Sequence, residues 1–186
     1  MIISFIGPSG CGKGVESKKL YRNKGFSVIS TGEILREEYE NGTKIGKELY
    51  LKYWKNGEWV PDSIISEMLF IKLDKLNSNK IILDAYPRTK KQALLLDEYL
   101  ERNNKFLDLV FIFNLDDKIS KERILGREKE GKERLDVSDK AILKRLYNYH
   151  KNENEIRNFY KKRAIDIDAT LSVDIIYTTI LKYIIN

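Results

Sequence analysis

Eight residues near the N-terminus limit the possible folds more than any other part of the sequence: Gly7-Pro8-Ser9-Gly10-Cys11-Gly12-Lys13-Gly14. They follow the apolar run 2–6 and precede a helical pattern, so they connect a buried strand to a helix. Their spacing matches the G-x-x-x-x-G-K pattern of a phosphate-binding loop, or P-loop. Glycines let successive backbone N–H groups converge on a phosphate, the helix N-terminus adds positive potential, and Lys13 neutralises phosphate oxygens. We therefore expect a phosphate-bearing ligand here, with a ligand-free glycine-rich turn as the alternative.

Apolar runs and helical patterns alternate along the whole chain. Runs rich in β-branched or apolar residues predict five strands, at 2–6, 27–30, 81–83, 109–113 and 164–167. Helical spacing predicts eight helices, at 12–21, 32–40, 45–55, 61–76, 90–101, 117–126, 139–162 and 173–185. This alternation predicts an α/β fold in which a five-stranded parallel sheet carries helices on both faces.

The length of the chain limits the number of domains, and its charge limits the class of partner. The 186 residues fit one compact domain, 1–186, and the 42% of hydrophobic residues supply a core. The formal net charge of +6 favours anionic partners, so nucleotides and nucleic acids both qualify, but no nucleic-acid-binding motif accompanies the charge. Only 10 of the 34 Lys and Arg residues are Arg. An Arg near the P-loop is therefore a candidate phosphate ligand, because guanidinium binds phosphate oxygens bidentately.

Cysteine content and hydropathy bear on the compartment. Cys11 is the single cysteine, which excludes an internal disulfide framework and a multi-cysteine zinc site. No basic segment precedes the apolar residues of the N-terminus, and no window approaches about 18 uninterrupted apolar residues. These features predict a cytoplasmic protein with no membrane partner.

Position 14 is Gly where the general P-loop has Ser or Thr. This G-K-G ending resembles the nucleoside monophosphate kinases, and the adenylate kinase family above all. Further blocks match that family in order along nearly the whole chain: Ser30-Thr31-Gly32-Glu33-Ile34-Leu35-Arg36, Gly57-Glu58-Trp59-Val60-Pro61-Asp62, Leu83-Asp84-Ala85-Tyr86-Pro87-Arg88-Thr89 with Gln92, Arg123-Ile124-Leu125-Gly126-Arg127, Arg134-Leu135-Asp136, and Arg145. The resemblance implies a P-loop NTPase fold with a helical acceptor-binding insert at about 31–60 and a short lid at about 127–136. It implies reversible transfer of the terminal phosphoryl group of Mg-ATP to AMP.

The resemblance assigns the donor nucleotide to the P-loop. Asp84, at the end of the third strand, would orient Mg²⁺ through its waters, and Arg123 would stack on the donor base. The other residues expected to bind ATP are consecutive: Gly10, Cys11, Gly12, Lys13, Gly14 and Val15.

The resemblance assigns the acceptor, AMP, to the insert and to the segment after the third strand. Arg88 would clamp the monophosphate, and Gln92 would read the edge of the base. The remaining residues expected to bind AMP are Thr31, Arg36, Val60 and Ala85. Trp54 and Trp59 are expected to pack around the insert, with contact between Trp59 and the acceptor base as the alternative.

Arginines would surround the transferring group. The resemblance implies that Arg127, Arg134 and Arg145 act in catalysis together with Lys13 and Arg88. Two nucleotides carry many negative charges, and phosphoryl transfer leaves little covalent work for a protein, so positioning and charge stabilisation must supply the rate. No general base is needed, and the sole histidine, His150, is expected to be a surface residue of a helix.

Five positions depart from the family pattern, namely Ser9, Val15, Ala85, Val137 and Leu171, and three of them bear on the expected site. Val15 stands where the family usually has Thr, and Val137 replaces a lid Asp, so each removes a polar group from the expected site. Val15 either leaves the site without a hydroxyl or packs into the core, where a hydroxyl would be unfavourable. Ala85 replaces Gly, and it is accommodated without strain if its φ is negative.

These observations leave three functions open. An adenylate kinase is favoured by Thr31 and by Arg88 with Gln92 four residues later. A kinase of similar fold acting on UMP or CMP is the second. The third is a nucleotide-binding protein with weak or no turnover, which Val15 and Val137 would allow. The expected partners are ATP and AMP and not nucleic acid, and a monomer is expected.

Overall fold

A parallel β-sheet forms the centre of the protein. The structure, a computed structural model, describes residues 1–129 and 138–184, with the side chains of 127–129 left out. Within these ranges the strands are β1 (Ile2–Ile6), β2 (Ser27–Ser30), β3 (Ile81–Asp84), β4 (Leu109–Asn114) and β5 (Ala164–Asp168). They lie in the order β2-β3-β1-β4-β5, and all neighbours are parallel. The predicted five-stranded parallel sheet is confirmed.

Helices connect the strands in the predicted order. They are α1 (Lys13–Lys24), α2 (Thr31–Glu40), α3 (Lys44–Lys52), α4 (Asp62–Asp74), α5 (Lys90–Arg102), α6 (Asp117–Lys129), α7 (Asp139–Phe159) and α8 (Val173–Ile184). Helix ends differ from prediction by up to three residues: α1 ends at Lys24 rather than 21, α6 at Lys129 rather than 126, and α7 at Phe159 rather than 162, while α3 stops at Lys52 and a 3₁₀ turn, Trp54–Asn56, follows. Ser138 is the N-cap of α7, because its Oγ accepts a hydrogen bond from the backbone N–H of Ala141 at 3.2 Å.

Apolar side chains cover both faces of the sheet. Ile2 and Ile6 of β1 belong to a cluster with residues of α4, α5 and α7, whereas Ile3 and Phe5 belong to a second cluster with residues of α1 and α8. Side chains alternate between the faces of a strand, so a strand buried on both faces consists almost entirely of apolar residues. This is why β1, β3 and β4 were recognisable as continuous apolar runs.

The strand order opens a crevice at the carboxyl ends of β1 and β3. The chain leaves β1 toward β2 at one edge of the sheet, and it leaves β3 toward β4 on the other side of β1. Neighbouring strands whose connections diverge in this way form the usual ligand site of an open α/β sheet. The P-loop and residues 85–89 therefore meet in one crevice.

The segment between β2 and β3 includes the predicted acceptor insert. Here α2 and α3 pack against each other, and Leu49, Val60 and Ile65 form a small apolar cluster of their own. Trp54 is buried as expected. The short lid predicted at about 127–136 falls almost entirely outside the described residues, so it stays a prediction. No helix within the described ranges has both the length and the apolar composition needed to span a membrane.

Candidate active site

The P-loop wraps around the side chain of Lys13. This residue begins α1, and its Nζ donates hydrogen bonds to the carbonyl oxygens of Gly7 and Pro8, each at 2.9 Å, and to Cys11 Sγ at 3.2 Å. An ammonium has three donors, so a phosphate oxygen would share or replace one of these contacts. The ammonium is thus held in the loop where phosphates are expected.

Gly10 allows the loop to approach α6. Its φ is +86°, and a Cβ at this position would lie 2.8 Å from the carbonyl oxygen of Ser120. The fully buried Ser120 also donates a hydrogen bond from its Oγ to the carbonyl oxygen of Ser9. Any side chain at position 10 would break this anchor, because it meets both an unfavourable φ and a backbone clash.

A cavity of about 340 Å³ lies between the P-loop and the segment after β3. Asp84, the last residue of β3, faces it close to the loop, since a Cβ on Gly14 would lie 3.8 Å from Asp84 Oδ2. Both groups of predicted phosphate ligands line this cavity, which we call the phosphate crevice: Gly10, Gly12, Lys13, Gly14 and Val15 on one side, and Arg36, Ala85 and Arg88 on the other.

A smaller cavity of about 100 Å³, the acceptor cavity, shares Arg36, Ala85 and Arg88 with the phosphate crevice. All six residues predicted to bind AMP line it: Thr31, Arg36, Val60, Ala85, Arg88 and Gln92. Arg145 of α7 lines it as well, although it lies far along the chain from the other six.

Arg88 is held on three sides. Its Nε donates to the carbonyl oxygen of Ala85 at 2.8 Å, its Nη2 donates to Thr31 Oγ1 at 3.3 Å, and its guanidinium carbon lies 5.5 Å from the centre of the Trp59 ring. Burial lowers the pKa of Arg88 to about 10; Asp84 opposes this shift and Arg145 adds to it. The guanidinium is still cationic at neutral pH, and an anion between Arg88 and Arg145 would relieve their repulsion.

A third cavity, of about 470 Å³, opens on the other side of the P-loop and is called the donor cavity. Arg123 lines it, and its Nη1 donates to the carbonyl oxygen of Ala169 at 2.9 Å. Val15 is 42% exposed and lines both this cavity and the phosphate crevice. The core-packing alternative for Val15 is therefore wrong.

Known proteins resemble this chain over almost its whole length. The sequence pattern of the adenylate kinase family matches residues 5–165. The chain belongs to the adenylate kinase family. An adenylate kinase of Mycobacterium tuberculosis (strain ATCC 25618 / H37Rv) is 33% identical to it over 183 residues, which cover 98% of each chain. One of Pseudarthrobacter chlorophenolicus is 35% identical over 183 residues, covering 97% of this chain and 94% of the relative.

Membership of the adenylate kinase family confirms the resemblance drawn from the motifs, and it makes the protein a nucleoside monophosphate kinase, a phosphotransferase. The P-loop NTPase fold is confirmed with it. The roles of individual residues stay predictions, although Lys13, Arg88 and Arg145 lie around adjoining cavities. Arg134 and Val137 lie outside the described residues, and so does the side chain of Arg127.

Ala85 does not have the negative φ that would accommodate it without strain. Its φ is +62°, in the left-handed region that favours the glycine usual in the adenylate kinase family at this position. The backbone N–H of Ala85 donates to the carbonyl oxygen of Phe5, and its own carbonyl oxygen accepts from Arg88. These bonds at the end of β3 hold the residue in its unfavourable conformation.

Glu16 is a buried acid that the sequence patterns did not single out. It is 1% exposed, lines the donor cavity, and its Oε2 has no hydrogen-bond partner. Burial raises the pKa of its carboxyl to about 7; Lys19 opposes the shift and Asp174 adds to it. A charged residue in the first turn of a helix is ordinarily solvated, so only the packing of α8 against α1 reveals its burial.

The remaining aromatic and histidine expectations have mixed outcomes. Trp59 packs beside the core and lines the acceptor cavity, so contact with an acceptor base stays open. His150 is a surface residue of α7 as expected, with its side chain 47% exposed, and hydrogen bonds to Asp117 and Glu153 raise its pKa.

Proposed function

We propose that the protein is an adenylate kinase that transfers the terminal phosphoryl group of Mg-ATP to AMP and forms two molecules of ADP. One observation supports this most strongly: the phosphate crevice adjoins a further cavity on each side, the acceptor cavity and the donor cavity. The donor base would occupy the donor cavity, AMP the acceptor cavity, and their phosphates would meet in the crevice.

Charge and position are what these residues contribute to the transfer. Lys13 and the backbone N–H groups of the P-loop would hold the donor phosphates from one side. Arg88, with Arg36, would hold the acceptor phosphate from the other, which aligns its oxygen with the terminal phosphorus of ATP. Arg145 would add positive charge beside Arg88, where negative charge is spread over the transferring group.

Asp84 fits a role beside Mg²⁺. The ion takes oxygen ligands and is commonly bound by one or two carboxylates together with substrate phosphates and waters. Asp84 brings a carboxylate to the wall of the phosphate crevice, next to Gly14, and Gly14 has no hydroxyl to offer the ion. We propose that Asp84 acts through a bound water, and that the ion, when bound, screens the charge of the donor phosphates.

The acceptor base would be recognised by Gln92. Gln92 lines the acceptor cavity together with Val60 and Trp59. An amide offers an acceptor beside a donor, which matches the amino group and ring nitrogen of adenine. This match favours AMP over UMP and GMP, whose bases present a carbonyl next to an N–H; cytosine presents the same pair as adenine, so the assay below decides between AMP and CMP.

The experiment is a coupled assay of ADP formation from Mg-ATP with AMP, UMP, CMP or GMP as acceptor. We expect the highest kcat/KM with AMP. A preference for UMP or CMP would replace the proposal with a pyrimidine nucleotide kinase. Nucleotide binding without turnover for any acceptor would favour the third function, for which the missing hydroxyl at Val15 is the specific observation.

Further expectations accompany the proposal. Arg127 and Arg134 would close over the transferring group and exclude water, which would otherwise hydrolyse ATP. The monomeric state, the absence of a nucleic-acid partner and the cytoplasmic location also stay predictions.

A further inference from the structure

Asp62 links the beginnings of two helices beside the acceptor cavity. It is the first residue of α4, and its Oδ1 accepts a hydrogen bond from Gln92 Nε2 at 2.7 Å. Its Oδ2 accepts a second bond from Thr89 Oγ1 at 3.0 Å. Thr89 in turn is the N-cap of α5, and its Oγ1 accepts from the backbone N–H of Gln92 at 3.1 Å. Both oxygens of the Asp62 carboxylate are thus directed at the residue proposed to read the base and at its helix cap.

These contacts determine which way the Gln92 amide faces. Gln92 Oε1 accepts from the backbone N–H of Arg88 at 2.7 Å, while Nε2 donates to Asp62. The side chain is 2% exposed, so it has little room to rotate. A flipped amide would put Nε2 against another N–H donor and Oε1 against a carboxylate, and both contacts would be repulsive.

The fixed orientation leaves one N–H of Nε2 and one lone pair of Oε1 for a ligand. Adenine offers the complementary pair, an amino donor next to a ring-nitrogen acceptor. Hypoxanthine offers the reverse pair, a carbonyl acceptor next to an N–H donor, and would need the flipped amide. A site built to hydrogen-bond one arrangement rejects the other, because buried polar groups are then left unpaired.

We propose that Asp62 is a positioning residue that fixes the Gln92 amide and thereby selects 6-amino over 6-oxo purine monophosphates at the acceptor site. The inference rests on the proposed function, since it takes the acceptor cavity to be the AMP site. Asp62 acts through Gln92 and does not itself touch the nucleotide.

The test is a double-mutant cycle with Asp62→Ala, Gln92→Ala and the double variant. AMP and IMP are compared as acceptors at saturating Mg-ATP, and thermal melts report stability separately. We expect Asp62→Ala to lower kcat/KM for AMP about tenfold, mainly through KM, and to raise the IMP-to-AMP ratio of kcat/KM by a similar factor. In the Gln92→Ala background the same change should alter either value by less than about twofold, because the residues act as one unit.

A control and a second variant separate positioning from general destabilisation. Asp74→Ala removes a carboxylate at the other end of α4 that accepts from the Tyr99 hydroxyl at 2.6 Å, and it should leave the IMP-to-AMP ratio unchanged. If Asp62→Ala does not fold, Asp62→Asn replaces it. The Asn side chain keeps the size but can donate to a flipped Gln92, so the ratio should rise by less, and again only when Gln92 is present.

Equal effects of the Asp62 change with and without Gln92, or an unchanged IMP-to-AMP ratio, would overturn the inference. The wild-type protein tests the proposed function independently, through its ADP formation with AMP. If the wild type binds nucleotides without turnover, the same cycle is measured with AMP and IMP dissociation constants, and the same outcomes decide.

Discussion

Arg88 is the residue on which the acceptor site depends most. It contacts Ala85, Thr31 and Trp59 and borders both the phosphate crevice and the acceptor cavity. Arg88→Ala should lower kcat/KM for AMP by up to about a thousandfold, because the monophosphate loses both its position and its counter-charge. Steady-state kinetics with varied AMP measure this.

Lys90→Ala is the matched control for Arg88. Lys90 lies two residues away, and its exposed side chain forms an ion pair with Glu155 at 3.9 Å, so its loss should change neither activity nor stability appreciably. If Arg88→Ala reduced kcat/KM by less than about fivefold, Arg88 would not hold the transferring phosphate.

Glu16 makes stability depend on pH. Because burial raises the pKa of its carboxyl from 4.5 to about 7, the folded protein keeps a proton there that the unfolded chain has already released. This contribution to the free energy of unfolding is therefore complete below about pH 4.5 and is lost as pH rises toward 7. Glu16→Gln, which resembles the neutral acid, should stabilise the protein relative to wild type by about 1–3 kcal/mol at pH 8 and by little at pH 4.5.

Thermal and urea unfolding at several pH values test the Glu16 prediction. The exposed Glu67 of α4 supplies the control, since Glu67→Gln makes the same substitution at a side chain that is not buried and should not reproduce the effect of Glu16→Gln. A pH-independent difference between Glu16→Gln and wild type would show that folding does not raise the pKa of Glu16.

Val15→Thr tests whether the missing hydroxyl limits the reaction. Val15 is exposed at the phosphate crevice, so a Thr hydroxyl there would meet solvent or phosphate rather than an apolar core. We expect tighter Mg-ATP binding or faster turnover, since a hydrogen bond to a charged group contributes about 1.5–3 kcal/mol. Val173→Thr is the control, because Val173 is equally exposed and lines the donor cavity but not the crevice. If Val15→Thr slowed turnover and Val173→Thr did not, the missing hydroxyl would not be what limits the reaction.

Sequence motifs identified the residues expected to contact ligand, but they missed residues that hold those ligand contacts in place. The six residues predicted to bind AMP lie in separate sequence blocks, and the structure gathers all of them around one cavity. Glu16, Ser120 and Asp62 were missed as supporting residues, because their burial or partners depend on helices distant in sequence. The φ of Ala85 was equally inaccessible, since residue type alone predicts the opposite sign.

At the scale of elements, the acceptor insert is placed by a close approach between Gly57 and α7. Gly57 ends the 3₁₀ turn with φ +72°, and a Cβ there would lie 2.3 Å from the carbonyl oxygen of Ala141. Trp59 and Val60, which line the acceptor cavity, follow directly. Gly57→Ala should therefore displace the insert and raise KM for AMP severalfold, with KM for ATP little changed.

The effect of Gly57→Ala combines backbone strain with a steric clash against α7, and Gly25→Ala separates the two. Gly25 has a similar φ of +70°, but a Cβ there would meet nothing within 4 Å. It should cost only the backbone strain, about 1 kcal/mol, and leave KM for AMP unchanged. Equal effects of the two variants on KM for AMP would show that the contact with α7 does not place the insert.

The type and order of the elements were predictable because each long segment shows one clear periodicity. All five strands were found, and β1 and β2 have the predicted bounds. The helix predicted at 45–55 was too long, because Gly57 adopts a left-handed conformation and the preceding residues tighten into a 3₁₀ turn. Periodicity alone does not report such an end, since Trp54 is apolar and buried and continues the helical pattern.

On the scale of the whole molecule, the sheet order is what makes a two-nucleotide cleft. The sequence predicts a parallel sheet but does not by itself give the order β2-β3-β1-β4-β5, which follows from long-range pairing of strands. That order puts the P-loop after β1 beside Asp84 and Arg88 after β3. Donor and acceptor sites are thereby joined at their phosphate ends, which is the central feature of the proposed reaction.

A ligand with two adenosines joined by a chain of phosphates tests that feature most directly. Isothermal titration calorimetry with the full-length protein measures both its stoichiometry and its affinity, with ATP and AMP titrated separately for comparison. One molecule should occupy both cavities, so we expect a 1:1 complex that is at least about 100-fold tighter than the ATP complex, and weakened by Arg88→Ala. A stoichiometry of two ligands per protein, or an affinity no better than that of ATP, would contradict a single cleft in which the two nucleotides meet.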